Sequence, residues 1–232
     1  MTDVYDFGLA PDPATEKHAT LSRLNKKTEP YRALLSELID TAFRVKTRRA
    51  VDEADLAVWE RGLSAPHVDV FSHYTGRFVS ALSHELPSVQ EWLIGFVAHP
   101  SAKVRLNLVT IMLHHPNDRV LDTVLAAGLA DKSATVRAKA ADVIERVERT
   151  HFAERLPALI AAETSDKAKE TMEHCLYWLT HDYQVYDRTE RGYSIWVKVA
   201  TGMTGRTISE AEYQDLEKTV ARIRAEHDEL YG

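Results

Sequence analysis

The segment Leu86–Tyr183 repeats itself, and this restricts the fold more than any other feature of the chain. Ser101-Ala102-Lys103-Val104-Arg105 returns 32 residues later as Ser133-Ala134-Thr135-Val136-Arg137. A weaker echo, Ser165-Asp166-Lys167-Ala168-Lys169, follows after another 32. A fixed period of this length marks stacked supersecondary units. Each unit reads as two antiparallel helices. The first helices are predicted over about 87–98, 117–130 and 152–163, the second over about 101–114, 133–148 and 166–181. Aligned at the period, seven columns stay apolar. In the first helices they are Val89/Leu121/Ala153, Trp92/Val124/Leu156 and Val97/Leu129/Ala161. In the second helices they are Val104/Val136/Ala168, Leu108/Ala140/Met172, Ile111/Val143/Cys175 and Met112/Ile144/Leu176. A lone helix pair cannot bury its apolar stripe, so neighbours must stack and share a core.

These copies resemble HEAT repeats. In that family an acidic residue near the end of the first helix is followed six residues later by a basic one, usually in a Val-Arg pair. Here Asp131 precedes Arg137 by six and Glu163 precedes Lys169 by six. The first copy keeps Arg105 but has His99 at the acidic place. Leu156-Pro157-Ala158-Leu159 is similar to the start of a HEAT first helix. The resemblance spans about 100 of 232 residues, and about 160 if helices over 52–84 form a degenerate upstream pair. It implies an all-α chain: a short right-handed α-solenoid of HEAT-like helix pairs with non-repeat helices at both ends. It also implies a ladder of charges between repeats, carried by Arg105, Asp131, Arg137, Glu163 and Lys169, with His99 interrupting the first rung. A HEAT-like fold leaves function open, because such arrays serve unrelated tasks.

Outside the repeats the chain divides into three stretches. Residues 1–27 read as a polar, flexible lead-in; the alternative is an arm that packs Tyr5 and Phe7 on the body. Residues 28–85 hold N-terminal helices. The first, over about 29–46, opens on Thr28-Glu29-Pro30 and carries Tyr31, Leu34, Leu35, Leu38, Ile39, Ala42 and Phe43 at helical spacing. Its basic end, Arg44, Lys46, Arg48 and Arg49, suits the negative pole of the helix dipole. The other reading of that cluster is a phosphate or acidic-partner site. Residues 184–232 read as a connector and C-terminal capping helices. Tyr193, Trp196, Val199, Ala200 and Met203 fall at helical spacing and predict a short helix over 193–201 ending at Gly202, although Ile195, Val197 and Val199 also alternate as in a strand. Ser209 with Glu212 forms a capping box that opens the last helix, about 209–230.

The chemistry legible in the residues is sparse. Net charge is −6, and the repeats hold 11 basic against 13 acidic residues, so the repeats offer phosphate backbones no basic face. The one cysteine, Cys175, excludes an intrachain disulfide and fits a reducing compartment; with no apolar leader or long apolar run, the expected location is the cytoplasm. His174 and His181 share a helix face but lie about 10 Å apart, too far for one zinc ion. Neither a phosphate-binding glycine loop nor a Gly-x-Ser-x-Gly elbow occurs. No metal, cofactor or catalytic residue is therefore expected. The stripe left free on the second helices is the candidate binding surface: Asn107, Lys139 and Thr171; Thr110, Asp142 and His174; His114, Arg146 and Trp178. Trp and Arg are frequent binding anchors. Trp178 has two readings, ligand contact or cover by the C-terminal cap. The expected function is a non-catalytic interaction module, scaffold or inhibitor, a monomer gripping a protein partner on its concave face. Specificity is expected in the free columns and in the connector Tyr183–Arg206. The alternatives are a HEAT-type DNA-binding protein or alkyl-base DNA glycosylase, which the charge disfavours, and a HEAT-type cofactor lyase or chaperone.

Overall fold

A computed structural model describes residues 9–115, 117–189, 192–199 and 202–231. The fold is predominantly helical, as expected, with one three-stranded sheet added. The repeat segment forms three helix pairs: α5 (Pro87–Gly95) with α6 (Ala102–Ile111), α7 (Asp118–Leu129) with α8 (Ala134–Arg146), and α9 (Leu156–Ala162) with α10 (Asp166–Thr180). The second helices pack in succession, α6 on α8 and α8 on α10, while α5 lies on α7.

The aligned columns explain this stacking. Of the twelve apolar positions on the second helices all but Leu176 are buried, and Leu176 packs against the same core. Each such Val, Leu or Ile contributes roughly 1.5–3 kcal/mol relative to an exposed position. The first helices fit less uniformly. Ala161 is exposed, because α9 packs on α10 with no further pair beyond it to cover that column.

Upstream, α2 (Arg32–Arg48) and α3 (Glu53–Ser64) precede a π-helical segment, Asp69–Gly76, which runs into α4 (Arg77–Glu85). An aromatic chain joins α3 to the repeats. The Trp59 ring lies 5.3 Å from that of Trp92, and Phe96 lies 4.4 Å beyond. The basic end of α2 is spent within the fold: Arg44 and Arg48 both close on Asp55, whose side chain is wholly buried. The expected flexible lead-in is corrected over its second half. Pro13–Leu21 forms α1, capped by Asp12 and tied down by Lys17–Asp40 at 2.6 Å and by the buried Glu16 on Arg77. Tyr5 and Phe7 lie outside the described residues.

The larger correction falls at 183–208. In place of the predicted connector and the predicted helix over 193–201, the described residues form an antiparallel sheet of β1 (Tyr183–Thr189), β2 (Gly192–Val199) and β3 (Gly202–Ile208), in that order; residues 200 and 201 of the predicted helix lie outside the described residues. Alternation wins over helical spacing because it gives the segment two faces. Ile195, Val197 and Ile208 turn inward, where they meet Val220 and Ile223 of α12 (Leu216–Tyr231). Gly192, at φ +123°, opens β2; a Cβ there would stand 2.2 Å from the Ile208 carbonyl oxygen. A short helix, α11 (Glu210–Tyr213), opens with the predicted Ser209–Glu212 capping box.

Candidate functional site

The charged ladder comes first, because it sets the register of the pairs. Asp131 Oδ1 and Glu163 Oε1 accept from the N–H of Ser133 and Ser165, at 2.7 and 2.9 Å. His99 does the same work in the first copy: its Nδ1 accepts from Ser101 N–H at 3.1 Å. Each arginine then joins two copies. Arg105 Nη1 donates to the His99 carbonyl at 2.6 Å, while Nε and Nη2 grip Asp131 at 2.6 and 2.9 Å. Arg137 Nη1 donates to the Asp131 carbonyl at 2.7 Å and grips Glu163 at 2.6 Å through both Nε and Nη2. Such two-pronged guanidinium–carboxylate pairs are the strongest of their kind. The guanidinium of Arg137 holds the Glu163 carboxyl down to about 2. Burial opposes ionisation of Asp131, but Arg105 and the Ser133 N–H outweigh it and keep that carboxyl below its usual range.

His99 therefore leaves the Arg105–Asp131 rung intact, since the acid paired with Arg105 belongs to the next copy. Its Nε2 turns upstream instead, 3.1 Å from Glu60 of α3. Lys169, in the last copy, is exposed, and the chain beyond α10 becomes sheet.

The predicted binding stripe separates into five environments. Asn107 is corrected to a structural residue. It is buried, and its Nδ2 donates to the Leu63 and Ala65 carbonyls at 2.6 and 3.3 Å, closing the broken end of α3. Thr110 is half-buried and bonds back to the Leu106 carbonyl within its own helix. His114 is exposed beside His73, Arg77 and Ser80 in a hollow of about 300 Å³, away from the other members of the stripe. Lys139, Asp142 and Arg146 come together: Asp142 accepts from Lys139 Nζ at 2.7 Å and from Arg146 Nε at 2.9 Å. They line a groove of about 390 Å³ between α8 and α10, with Thr171 on its far side.

At the C-terminal end of that groove stands a second cleft, of about 230 Å³, and Arg146 borders both. Its walls are the ends of α8 and α10 and the outer face of the sheet. His174 Nδ1 lies 2.6 Å from Glu145 there, with the Tyr186 ring 6.5 Å from its own. Trp178 is buried at the floor of this cleft, against the sheet. Lys198 Nζ lies 4.9 Å above its ring and donates to its carbonyl at 2.7 Å. The exposed aromatic is Trp196, 42% accessible, accompanied by Tyr186 and Met203. Spacing read as helix hid Trp196. The alternation of Ile195 and Val197 was the signal that puts it on the opposite face.

Two other groups bear on chemistry. Ser83 Oγ and His115 Nε2 lie 2.9 Å apart, but the proton runs the wrong way for a nucleophile. His115 Nδ1 accepts from the Asn117 N–H, so Nε2 carries the ring proton and donates to Ser83, whose own hydroxyl donates to the Ser80 carbonyl. Burial pushes the His115 imidazole down to about 4 and the Cys175 thiol up to about 12, leaving both neutral at pH 7. Among the described residues no three His, Cys, Asp or Glu side chains gather as a metal site, and no helix is long and apolar enough to cross a membrane. No protein-family model, curated protein or solved structure matches this chain.

Proposed function

We propose that this chain is a non-catalytic protein-binding module. In this reading its helix pairs form a short, right-handed, HEAT-like α-solenoid, and the second helices and the outer sheet face offer one continuous surface to a protein partner. The observation that carries it is the exposure of Trp196, Tyr186 and Met203 on a sheet whose other face is an ordinary apolar core. Large apolar groups gathered on one surface mark an interaction site. Trp, Tyr and Arg are also the residue types that most often anchor interfaces, and Arg146 joins this patch to the α8–α10 groove. Asp142, Glu145 and Glu148 on the same surface would repel phosphate, which weighs against a nucleic-acid partner. The buried, protonated thiol is compatible with a reducing compartment such as the cytoplasm.

The test is capture of partners from lysate of the native source with the full-length chain, read by mass spectrometry. Arg146→Ala and Trp196→Ala are expected to lose a specific partner while shifting the melting midpoint by less than about 3 °C, the scale of a surface change in a chain of this size. Variants that retain every partner of the parent chain would end this reading.

A further inference from the structure

Resting on that reading, we infer that the cleft between the sheet and the ends of α8 and α10 receives a cationic side chain, arginine or lysine, of the partner protein. The walls are electron-rich. Trp196 lies flat on β3, close enough that a Cβ at Gly205 would stand 3.0 Å from its indole, so one ring face is held toward the opening. Tyr186 stands on the same sheet face, and Met203 completes the apolar wall. Cations bind over such ring faces and anions are repelled by them.

The carboxylates and the resident cations fix the sign. Glu145 and Glu148 both line the cleft. Glu145 is engaged by His174, and Glu148, 54% exposed, makes only a loose ion pair with Lys198 at 3.9 Å, too long for a hydrogen bond, so its carboxylate oxygens still face the cleft. The two cations nearby are already committed. Arg146 Nε donates to Asp142, and Lys198 lies over the buried ring of Trp178 with its ammonium on the Trp178 carbonyl. That Lys198–Trp178 contact is the chain's own version of the interaction proposed for Trp196. The molecule's net charge of −6 draws a basic partner surface in the same direction.

Glu148 also occupies a position the backbone would give to glycine. It sits at φ +51°, one residue past the C-cap of α8. Its N–H bonds to the Glu145 carbonyl and the next N–H, from Arg149, reaches back to the Ile144 carbonyl. This is the helix-ending turn in which glycine is usual. Arg49 ends α2 in the same left-handed conformation, so the turn tolerates a side chain; at Glu148 that side chain faces Lys198 of β2 and leaves a half-exposed carboxylate at the cleft.

The test uses the full-length chain and three capped tripeptides, Gly-Arg-Gly, Gly-Lys-Gly and Gly-citrulline-Gly, titrated by NMR on the Trp196 indole N–H and the Met203 methyl. The arginine and lysine probes are expected to saturate, with the neutral citrulline probe roughly tenfold weaker, as for a partly desolvated cation over an aromatic face. Glu148→Gln is expected to weaken the arginine probe about fivefold. Trp196→Leu should abolish its binding, and Trp196→Phe, which keeps a ring, should retain part of it. Equal binding of arginine and citrulline, or no saturable shift, overturns the inference. So does a concentration-dependent dimer that buries Trp196 in sedimentation and relaxation measurements, because the occupant is then a second copy. A partner captured through Trp196 without any preference for the charged probes leaves the protein-binding reading standing and removes this one. Cationic probes that bind with no Trp196-dependent partner do the reverse.

Discussion

At the scale of single residues, the arginines of the ladder do more than pair charges. Arg137 spans two helix pairs with one guanidinium, and the Glu163 side chain it holds is 2% exposed. Removing one partner of such a pair strands the other in a dry site, which costs about 3 kcal/mol or more. Arg137→Met is therefore expected to lose about that much in chemical denaturation. Lys169→Met, at the equivalent but exposed position, should stay within about 0.5 kcal/mol. Equal losses would mean that the repeated motif, rather than the buried pairing, carries the stability. His99 shows why a family-like motif has to be read atom by atom. It departs from the acidic residue in charge but keeps the acceptor that the turn requires, Nδ1 on the Ser101 N–H.

At the scale of elements, the sheet decides which aromatic is presented. Trp178 falls under Lys198 and β2, while Trp196 stands outward on β2 over Gly205. A Gly205→Ala substitution puts a methyl group 3.0 Å from the indole, so the ring must shift outward by a few tenths of an ångström. The expected result is a loss of under about 1 kcal/mol and a red shift in tryptophan emission as the ring becomes more hydrated. An unchanged spectrum would show that the ring does not rest on the strand. The same element explains the α8 end: Glu148 and Lys198 face each other across the junction of helix and sheet, so the cleft exists because the third helix pair is capped by strands and not by another helix.

At the scale of the whole molecule, pH acts on stability in two stages. Burial lowers the His115 pKa from 6.5 in the unfolded chain to about 4, so the unfolded chain binds the proton first. Stability is complete above pH 6.5 and falls by roughly 3 kcal/mol as pH drops toward 4. Glu163, held down to about 2 against an ordinary 4.5, adds a further loss below pH 4.5, and Asp131 falls in the same sense. Urea midpoints measured from pH 8 to pH 3 should show both stages, and His115→Gln should remove the first while leaving the second. A His115→Gln profile that keeps the upper stage would place that titration elsewhere. The repeat period, the three helix pairs, the apolar columns of the second helices and four ladder residues, Arg105, Asp131, Arg137 and Glu163, were legible in the sequence, because each is set by local periodicity and by side chains that must be buried or paired wherever the pairs stack; Lys169 was not, because no further pair follows to supply its acid. The helix over 13–21 was hidden by its polar composition, since its anchor is Glu16 reaching Arg77, 61 residues away. Asn107 looked free on its helix because the carbonyls it serves belong to α3. The choice of strand for 192–199 depended on α12 arriving to bury Ile195 and Val197, a contact between distant segments that spacing alone does not contain. That same contact turns Trp196 out and covers Trp178. The identity of the repeated core thus follows from sequence, whereas the surface offered to a partner was decided by tertiary packing, because exposure depends on what the rest of the chain leaves uncovered.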